Sequence, residues 1–491
     1  MPVVIFIAFF VIGIAVRGGA LMDPDTGWHI AAGDAIRAAG HIPASDPWSY
    51  TAGDQPWYEI SWAYDVLASV LNSLGGLGAV VVTTVFLYAL AVAAIAWIAE
   101  KSAKDTLAGF LVAALSGSAL LSGMLARPQT LTFLLIIALY AVFRFGGRRL
   151  VWTAPVLMAA WANIHGGFLA GYVIVGAFFL EALAMRDFTR ARRLFLVGVL
   201  CVLAPLANPY GWRVFQVTEM LLASKFRTLI VEWAPISLNA LTPPVVLAAV
   251  FVLVSALFER SIPLADRLLA AFWIAMGLAS ARMMHVAAIL AAPYLAAAIA
   301  LRLRATPFGA TLEKHGRDYA TDLSKKGVRW ALFGFAASMM LASFAPPIQR
   351  AIGGGGAFAA FPSVNAPSAA LDFIEARYPS LRFFNQYGFG GYMAYRHERA
   401  PKLFFDGRVE IAYPPKVLSD GAEIGYVGPT NEVPPGDDPR WRALVGKYDV
   451  EGFLISPDAR LARALAVRPQ WTRVFADEDA VVFIRADRVK S

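Results

Sequence analysis

The sequence predicts a polytopic α-helical membrane protein of about eleven transmembrane helices, followed by a C-terminal extracytoplasmic α/β domain. Three observations carry that reading. The 491 residues are 58% hydrophobic and only 16% charged, against roughly 45–50% and about 25% in soluble domains. The apolar residues are gathered into runs near the ~20 residues that cross a bilayer. From about Pro346 the composition changes, first to a Gly, Pro and Ser-rich stretch and then to strands alternating with helices.

The first run, residues 3–16, lacks a basic leader and is followed by Arg17, so it reads as an uncleaved span. The first outer loop, 21–61, is acidic and aromatic. Asp23, Asp25, Asp34, Asp46, Asp54 and Glu59 face one basic residue, Arg37, with Trp28, Trp48 and Trp57 threaded between them and Trp62 just beyond. Such a loop could bind a cation, a sugar or a polar headgroup. Residues 26–39 and 60–74 have apolar turns broken by Asp or Arg, the pattern of helices lying in the interface. The further runs are 78–98, 106–124, 129–145, 150–163, 167–185, 194–207, 244–258, 264–280, 283–301 and 328–345. With 60–74 not crossing, residues 1–345 form the transmembrane module.

Charge sets the orientation. One set of alternate loops is rich in Lys and Arg, including Lys101, Lys104, Arg144, Arg148, Arg149, Arg190, Arg260 and Arg302, whereas the other holds Arg127, Arg213, Lys225, Arg227 and Arg282. Cytoplasmic loops carry the excess. The N-terminus is therefore placed inside and the first loop outside. The net charge of +8 follows from this topology, and the dispersed basic residues argue against nucleic acid as a partner. The single cysteine, Cys201, excludes an intrachain disulfide. No internal repeat is visible.

Residues 346–368 read as a hinge and 369–491 as the α/β domain, outside because the number of crossings is odd. Within it LDFIEARY reads as a helix, LRFFN as a strand, GFGGYMAYR as a turn and helix, and KLFFDGR and VEGFLIS as strands. ARLARALA reads as a helix and WTRVFADEDAVVFIR as a hairpin around Asp477–Asp479.

The unusual polar residues fall on the outward side, close to apolar runs, where ionisable groups are costly unless paired or wet. Asp23 and Asp25, with Pro24 between them, could share a divalent cation such as Mg or Mn, or one could serve as a general base; Asp25 could instead cap the helix beginning near Gly27. His29 is a ligand, a base or an ordinary interface residue. Arg127, Arg282 and His285 suit a phosphate, which accepts charge-assisted bonds from arginine; lipid-headgroup snorkelling is the alternative. Asn163 and His165 precede Gly166-Gly167 and form either a ligand turn or a plain hairpin. Glu232 offers a further carboxylate or a loop ion pair with Arg227 or Lys225. The glycines of Asn385–Gly391 and of Phe405-Asp-Gly-Arg408 resemble a phosphate loop only weakly, so turn chemistry is the competing reading. There is no zinc-type His/Glu spacing, no GxSxG elbow and no Walker motif.

With these residues in place, the chain resembles the GT-C superfamily of integral-membrane glycosyltransferases. The acidic motif after the first span, the aromatic outer loop and the terminal extracytoplasmic domain carry the likeness. More narrowly, D-x-D-x-G-W-H, G-H-I-P-x-x-D-P-W-S-Y-T, A-R-P-Q, W-x-N-x-H-G-G, N-P-Y-G, G-F-G-G-Y and F-D-G-R resemble an uncharacterised bacterial multi-spanning family. The superfamily includes protein mannosyltransferases, aminoarabinose transferases and the oligosaccharyltransferase catalytic subunit. The resemblance implies a polyprenyl-phosphate sugar donor, a glycan, lipid or protein acceptor, and a place in the bacterial inner membrane. It puts Asp23 or Asp25 at the acidic position that acts as base or metal ligand. The Trp-Trp-Asp-Tyr-Gly motif of oligosaccharyltransferases has no clear counterpart. Two functions are therefore expected: sugar transfer, or non-enzymatic binding or translocation of a lipid-linked saccharide.

Overall fold

The computed structural model describes residues 1–53, 55–223, 231–255, 261–353, 357–398, 400–425 and 438–489. Asp54, Lys225, Arg227, Arg260 and positions 354–356 of the hinge lie outside the described residues. The chain forms two compact units. One contains 1–20, 75–214 and 230–359; the other contains 21–74, 215–229 and 360–491. These units cut across the sequence divisions, because residues 21–74 are grouped with the C-terminal residues.

The first unit is helical. Its helices include Pro2–Ala15, Thr106–Leu120, Gln129–Phe145, Ala154–Ala162, Leu169–Ala184, Phe188–Leu203, Pro243–Ser255 and Leu264–Ala279. Ala281–Leu290, Ala292–Arg304 and Lys326–Ser343 follow. Local chemistry sets several starts: Asp105 accepts from Ala108 N at 2.8 Å and Asp187 from Arg190 N at 2.9 Å, each satisfying an orphan first-turn donor. Three helices among the described residues are long and apolar enough to cross a membrane, Trp62–Ala103, Thr106–Gly123 (with its terminal 3₁₀ turn) and Gly166–Ala184 (with its leading one), or up to five if each of two bent pairs is one span. The eleven crossings expected from the sequence remain a proposal. Arg144, expected as a loop charge, is instead partly buried, donating to Asp266 at 2.7 Å and pairing with Glu181 at 3.3 Å, which ties three helices together.

Residues 62–74 form the helix expected over 60–74; the run Trp62–Ala103 is two helices meeting at a kink, where Gly75 and Gly76 are non-helical and Gly76 has φ +60°. Only glycine takes that conformation at low cost.

The second unit is built on a four-stranded sheet of β1 (Phe383–Asn385), β2 (Gly452–Ile455), β3 (Trp471–Ala476) and β4 (Val481–Arg485), in the order β1-β2-β4-β3. β1 and β2 are parallel, and β4 is antiparallel to both β2 and β3. Helices Ser368–Arg377, Gly390–Tyr395 and Arg460–Ala466 stand where the sequence places helical patterns, and two more, Pro415–Ile424 and Pro439–Lys447, were not read from it. KLFFDGR is not a strand of this sheet. Leu403 pairs instead with the first loop: Leu403 N donates to Trp48 O at 3.1 Å and Tyr50 N to Leu403 O at 3.2 Å.

The helix Thr26–Ala39 has the boundaries expected but not the interfacial setting. Trp28, His29, Ile30, Ala31, Ala32 and Gly33 are all buried, too many for a helix with one face in a headgroup layer. It packs on the helix Gly390–Tyr395, with backbones so close that a Cβ on Gly27 would lie 2.2 Å from Gly391 O.

Candidate functional site

In the first unit the structure brings together three residues separated widely in sequence. Arg127 lies just before the helix Gln129–Phe145, and Arg282 is in the first turn of Ala281–Leu290. Both donate to one oxygen of Glu232, Arg127 Nη1 at 3.0 Å and Arg282 Nη1 at 3.3 Å. Glu232 sits in a short 3₁₀ turn, Val231–Trp233. Ala281 N donates to Ala234 O at 2.9 Å and fixes that turn beside the helix, while the Arg282 guanidinium lies over the Trp233 ring, 5.2 Å from its centre. Burial opposes ionisation of Glu232, but Arg282 and then Arg127 outweigh it and hold the carboxyl below its usual range. Arg127 is 11% exposed, so it is held by protein rather than snorkelling.

His285 lies one helical turn beyond Arg282, within 3.1 Å of Ser122 Oγ through Nε2. A Cβ on Gly123 would approach its ring to 3.0 Å, so that glycine leaves room for it. His165 and Asn163 make local structural contacts. Asn163 Nδ2 donates to Ala159 O at 2.8 Å, and His165 Nδ1 accepts from Gly167 N at 3.1 Å, starting the turn Gly166–Phe168. Thr132 Oγ1 accepts from Trp161 Nε1 and lies 3.0 Å from His165 Nδ1. With Nδ1 accepting from Gly167 N, a neutral His165 carries its proton on Nε2.

In the second unit Asp23 Oδ1 accepts from Asp25 N at 2.7 Å, an Asx turn that fixes the Asp-Pro-Asp segment. Asp25 occupies the N-cap position of Thr26–Ala39 without a side-chain capping bond. Its carboxyl rests on Gly407, where a Cβ would meet Asp25 Oδ1 at 1.7 Å. The Asp-Pro-Asp motif and the Phe-Asp-Gly-Arg motif are therefore in direct contact. As metal ligands the two aspartates are a thin set. One Asp23 oxygen is engaged by an amide, and no group of three or more His, Cys, Asp or Glu converges among the described residues.

His29 has a partner that sequence reasoning missed. Its Nδ1 lies 2.6 Å from Asp65 Oδ1, with both side chains buried. The ring stacks on Trp28 and meets Tyr64 edge-on. Next to this pair is Glu59, fully buried, which accepts from Ser61 N at 3.0 Å. Burial pushes its carboxyl above the usual range. Asp65 reads in the sequence as a polar break in an amphipathic helix, and nothing local marks it as the partner of a histidine 36 residues earlier.

Arg408, read in the sequence as the end of a strand pattern and as part of a weak phosphate-loop or turn motif, has partners that the sequence did not show. It is fully buried. Nε donates to both Asp406 oxygens, at 2.9 and 3.0 Å, Nη1 to Asp46 at 2.8 Å, and Nη2 to the Tyr413 hydroxyl at 2.9 Å. The guanidinium lies over Trp48 and Trp57. Burial opposes ionisation of Asp46, yet Arg408 and the Ser49 and Trp48 donors lower its pKa; burial raises that of Asp406, and Arg408 offsets this only in part. The asymmetry follows from the additional local donors to Asp46.

No family model matches the chain, and no curated protein matches it. Solved structures do. The archaeal oligosaccharyltransferase AglB from Archaeoglobus fulgidus, in complex with an inhibitory peptide and a dolichol-phosphate, is 13% identical with a TM-score of 0.55, over 99% of this chain and 75% of that one. The apo form of the A. fulgidus oligosaccharyltransferase gives 13% and 0.56, over 91% and 69%. ArnT from Cupriavidus metallidurans, in the apo state, is 18% identical with a TM-score of 0.51, over 98% of this chain and 97% of that one. The likeness runs over nearly the whole chain, which shares the fold of these solved structures.

Proposed function

We propose that this protein is an inverting membrane glycosyltransferase. It moves a sugar from a polyprenyl-phosphate donor to an envelope glycan, lipid or protein acceptor at the outer face of the bacterial inner membrane. The observation that carries the reading is the convergence of Arg127 and Arg282 on a single anionic group, with His285 on the same helix. Two guanidiniums aimed at one oxygen suit a phosphate, because charge-assisted bonds to arginine are short and directional. The GT-C fold supports it, and so does the dolichol-phosphate in the A. fulgidus AglB complex.

Arg127 and Arg282 hold the donor phosphate and neutralise the charge that grows on it as the sugar–oxygen bond breaks. Asp25 takes the proton of the acceptor hydroxyl as that oxygen bonds to the anomeric carbon, and polyprenyl phosphate leaves with the bonding electrons. A phosphate leaves readily, so one base and two cations suffice. Asp23 holds Asp25 through the Asx turn.

The test is sugar transfer in nanodiscs with a panel of polyprenyl-phosphate sugars, with and without EDTA, beside Asp25→Asn and Arg127→Ala. The reading requires release of polyprenyl phosphate that both substitutions abolish. Donor binding without turnover, unchanged in Asp25→Asn, would replace it with binding or translocation of a lipid-linked saccharide.

A further inference from the structure

Glu232 occupies the position where the arginines would meet a phosphate. Its Oε1 accepts from Arg127 Nη1 and Arg282 Nη1 at once, an arrangement that a phosphate oxygen can reproduce. The site cannot hold both anions on the same two donors: a carboxylate and a phosphate sharing them would repel each other at hydrogen-bond distance. Glu232 is also the least enclosed of the three, its side chain 32% exposed against 11% for Arg127 and 23% for Arg282. It sits on a three-residue 3₁₀ turn, whereas the arginines stand at the starts of helices. The least enclosed of the three is the one that can leave. Arg282 keeps its contact with Trp233 when Glu232 swings away, because that contact is made by the neighbouring residue of the turn.

We infer that Glu232 is a resident anion of the phosphate site, a side chain that holds Arg127 and Arg282 in place and is displaced by the phosphate of the lipid donor. The inference rests on the phosphate reading of the preceding subsection and adds competition to it. The arginines are kept apart from each other and from stray anions by an internal ligand, and the donor's apparent affinity is reduced by the fraction of molecules in which Glu232 is bound. A polyprenyl phosphate, anchored by its chain in the bilayer, reaches a local concentration that overcomes this competition, while a soluble phosphate does not.

The experiment is equilibrium binding of a polyprenyl monophosphate to the full chain in nanodiscs, with inorganic phosphate as a second probe, for wild type, Glu232→Gln, Glu232→Ala, Arg127→Ala and Arg282→Ala. Competition predicts that Glu232→Gln, which keeps the shape and removes the charge, tightens polyprenyl phosphate binding by about three- to tenfold. Glu232→Ala tightens it also, and inorganic phosphate becomes detectable in both. Weaker or unchanged binding in the two Glu232 variants, with the arginine variants impaired, overturns the inference and makes Glu232 a support that phosphate binding needs. Binding that survives Arg127→Ala and Arg282→Ala undamaged removes the phosphate reading itself. Thermal melts of each variant, taken alongside, separate either result from a loss of fold.

Discussion

Arg408 and Asp46 lie 362 residues apart and are joined by a 2.8 Å hydrogen bond with neither side chain exposed. Asp406, Tyr413 and the faces of two tryptophans complete the guanidinium's surroundings. Removing one partner of a buried ion pair strands the other, at a cost of about 3–5 kcal/mol. Arg408→Ala is therefore expected to lower the melting temperature sharply and to expose the first loop to protease. Arg408→Lys is expected to fail nearly as badly, because an ammonium cannot span Asp406, Asp46 and Tyr413 in one plane. A melt within a degree of wild type for either variant would contradict this account.

The close approach of the helices Thr26–Ala39 and Gly390–Tyr395 depends on two glycines. A Cβ at Gly391 would lie 1.7 Å from Pro24 O, and one at Gly27 would lie 2.2 Å from Gly391 O. Both obstacles are backbone atoms that cannot rotate aside. Gly391→Ala and Gly27→Ala are expected to cost at least the ~1–3 kcal/mol of an overpacked core. Gly18→Ala is the control, since nothing lies within 4 Å of its added methyl. Chemical denaturation in detergent would rank the three.

Glu59 gives the second unit a pH dependence of defined sign. Its carboxyl titrates higher in the folded chain than in the unfolded one, because burial disfavours its charged form. The folded state therefore keeps the proton longer. Stability from this source is fully present below the ordinary value of 4.5 and is lost as pH rises through the elevated one. Glu59→Gln is expected to flatten that slope and to raise the melting temperature more at pH 8 than at pH 5. The groups around Glu59 include Asp65, Arg408, Trp57 and Ser61; burial and then Glu59 raise the Asp65 carboxyl, so the substitution also eases ionisation of Asp65, and Asp65→Asn beside Glu59→Gln separates the two. Equal shifts at both pH values would mean that Glu59 does not titrate between them.

The two aspartates of the first loop should separate in kinetics. Asn in place of Asp23 retains an oxygen for Asp25 N, so the Asx turn survives and turnover is expected to fall less than about tenfold. Asn in place of Asp25 removes the proposed base, and kcat is expected to fall by about 10²–10⁴ with little change in KM. A larger loss in Asp23→Asn than in Asp25→Asn, measured as polyprenyl phosphate released, would exchange their roles.

Legibility in the sequence followed the range of the interactions. Thr26–Ala39 and β1, β2, β3 and β4 were visible because their apolar period and turn residues are local. KLFFDGR has the composition of a strand, but its partner is Trp48–Tyr50, and no local pattern records a pairing made across the length of the chain. The arginines at 127 and 282 stood out because charge near an apolar run is costly. Glu232 was legible as a carboxylate, but its described partners, Arg127 and Arg282, come from two distant helix starts, while the expected Arg227 and Lys225 lie outside the described residues. Asp65 and Arg408 were passed over for the same reason: each looks ordinary beside its neighbours in sequence and acquires its meaning only from a residue far away.

The joining of residues 21–74 to the C-terminal elements sets an order of events during synthesis. The partners of Asp46 and Trp48 are not made until about 360 residues later. At translation rates of roughly 5–20 residues per second, the first loop waits on the order of 20–70 s before Leu403 and Arg408 exist to complete its core. For that interval Asp46 and Trp48 lack the contacts that Arg408 and Leu403 supply, so the nascent chain is expected to depend on a holding factor until its last quarter emerges. Truncations ahead of Arg408 would be cleared by proteolysis rather than accumulate as shortened membrane proteins.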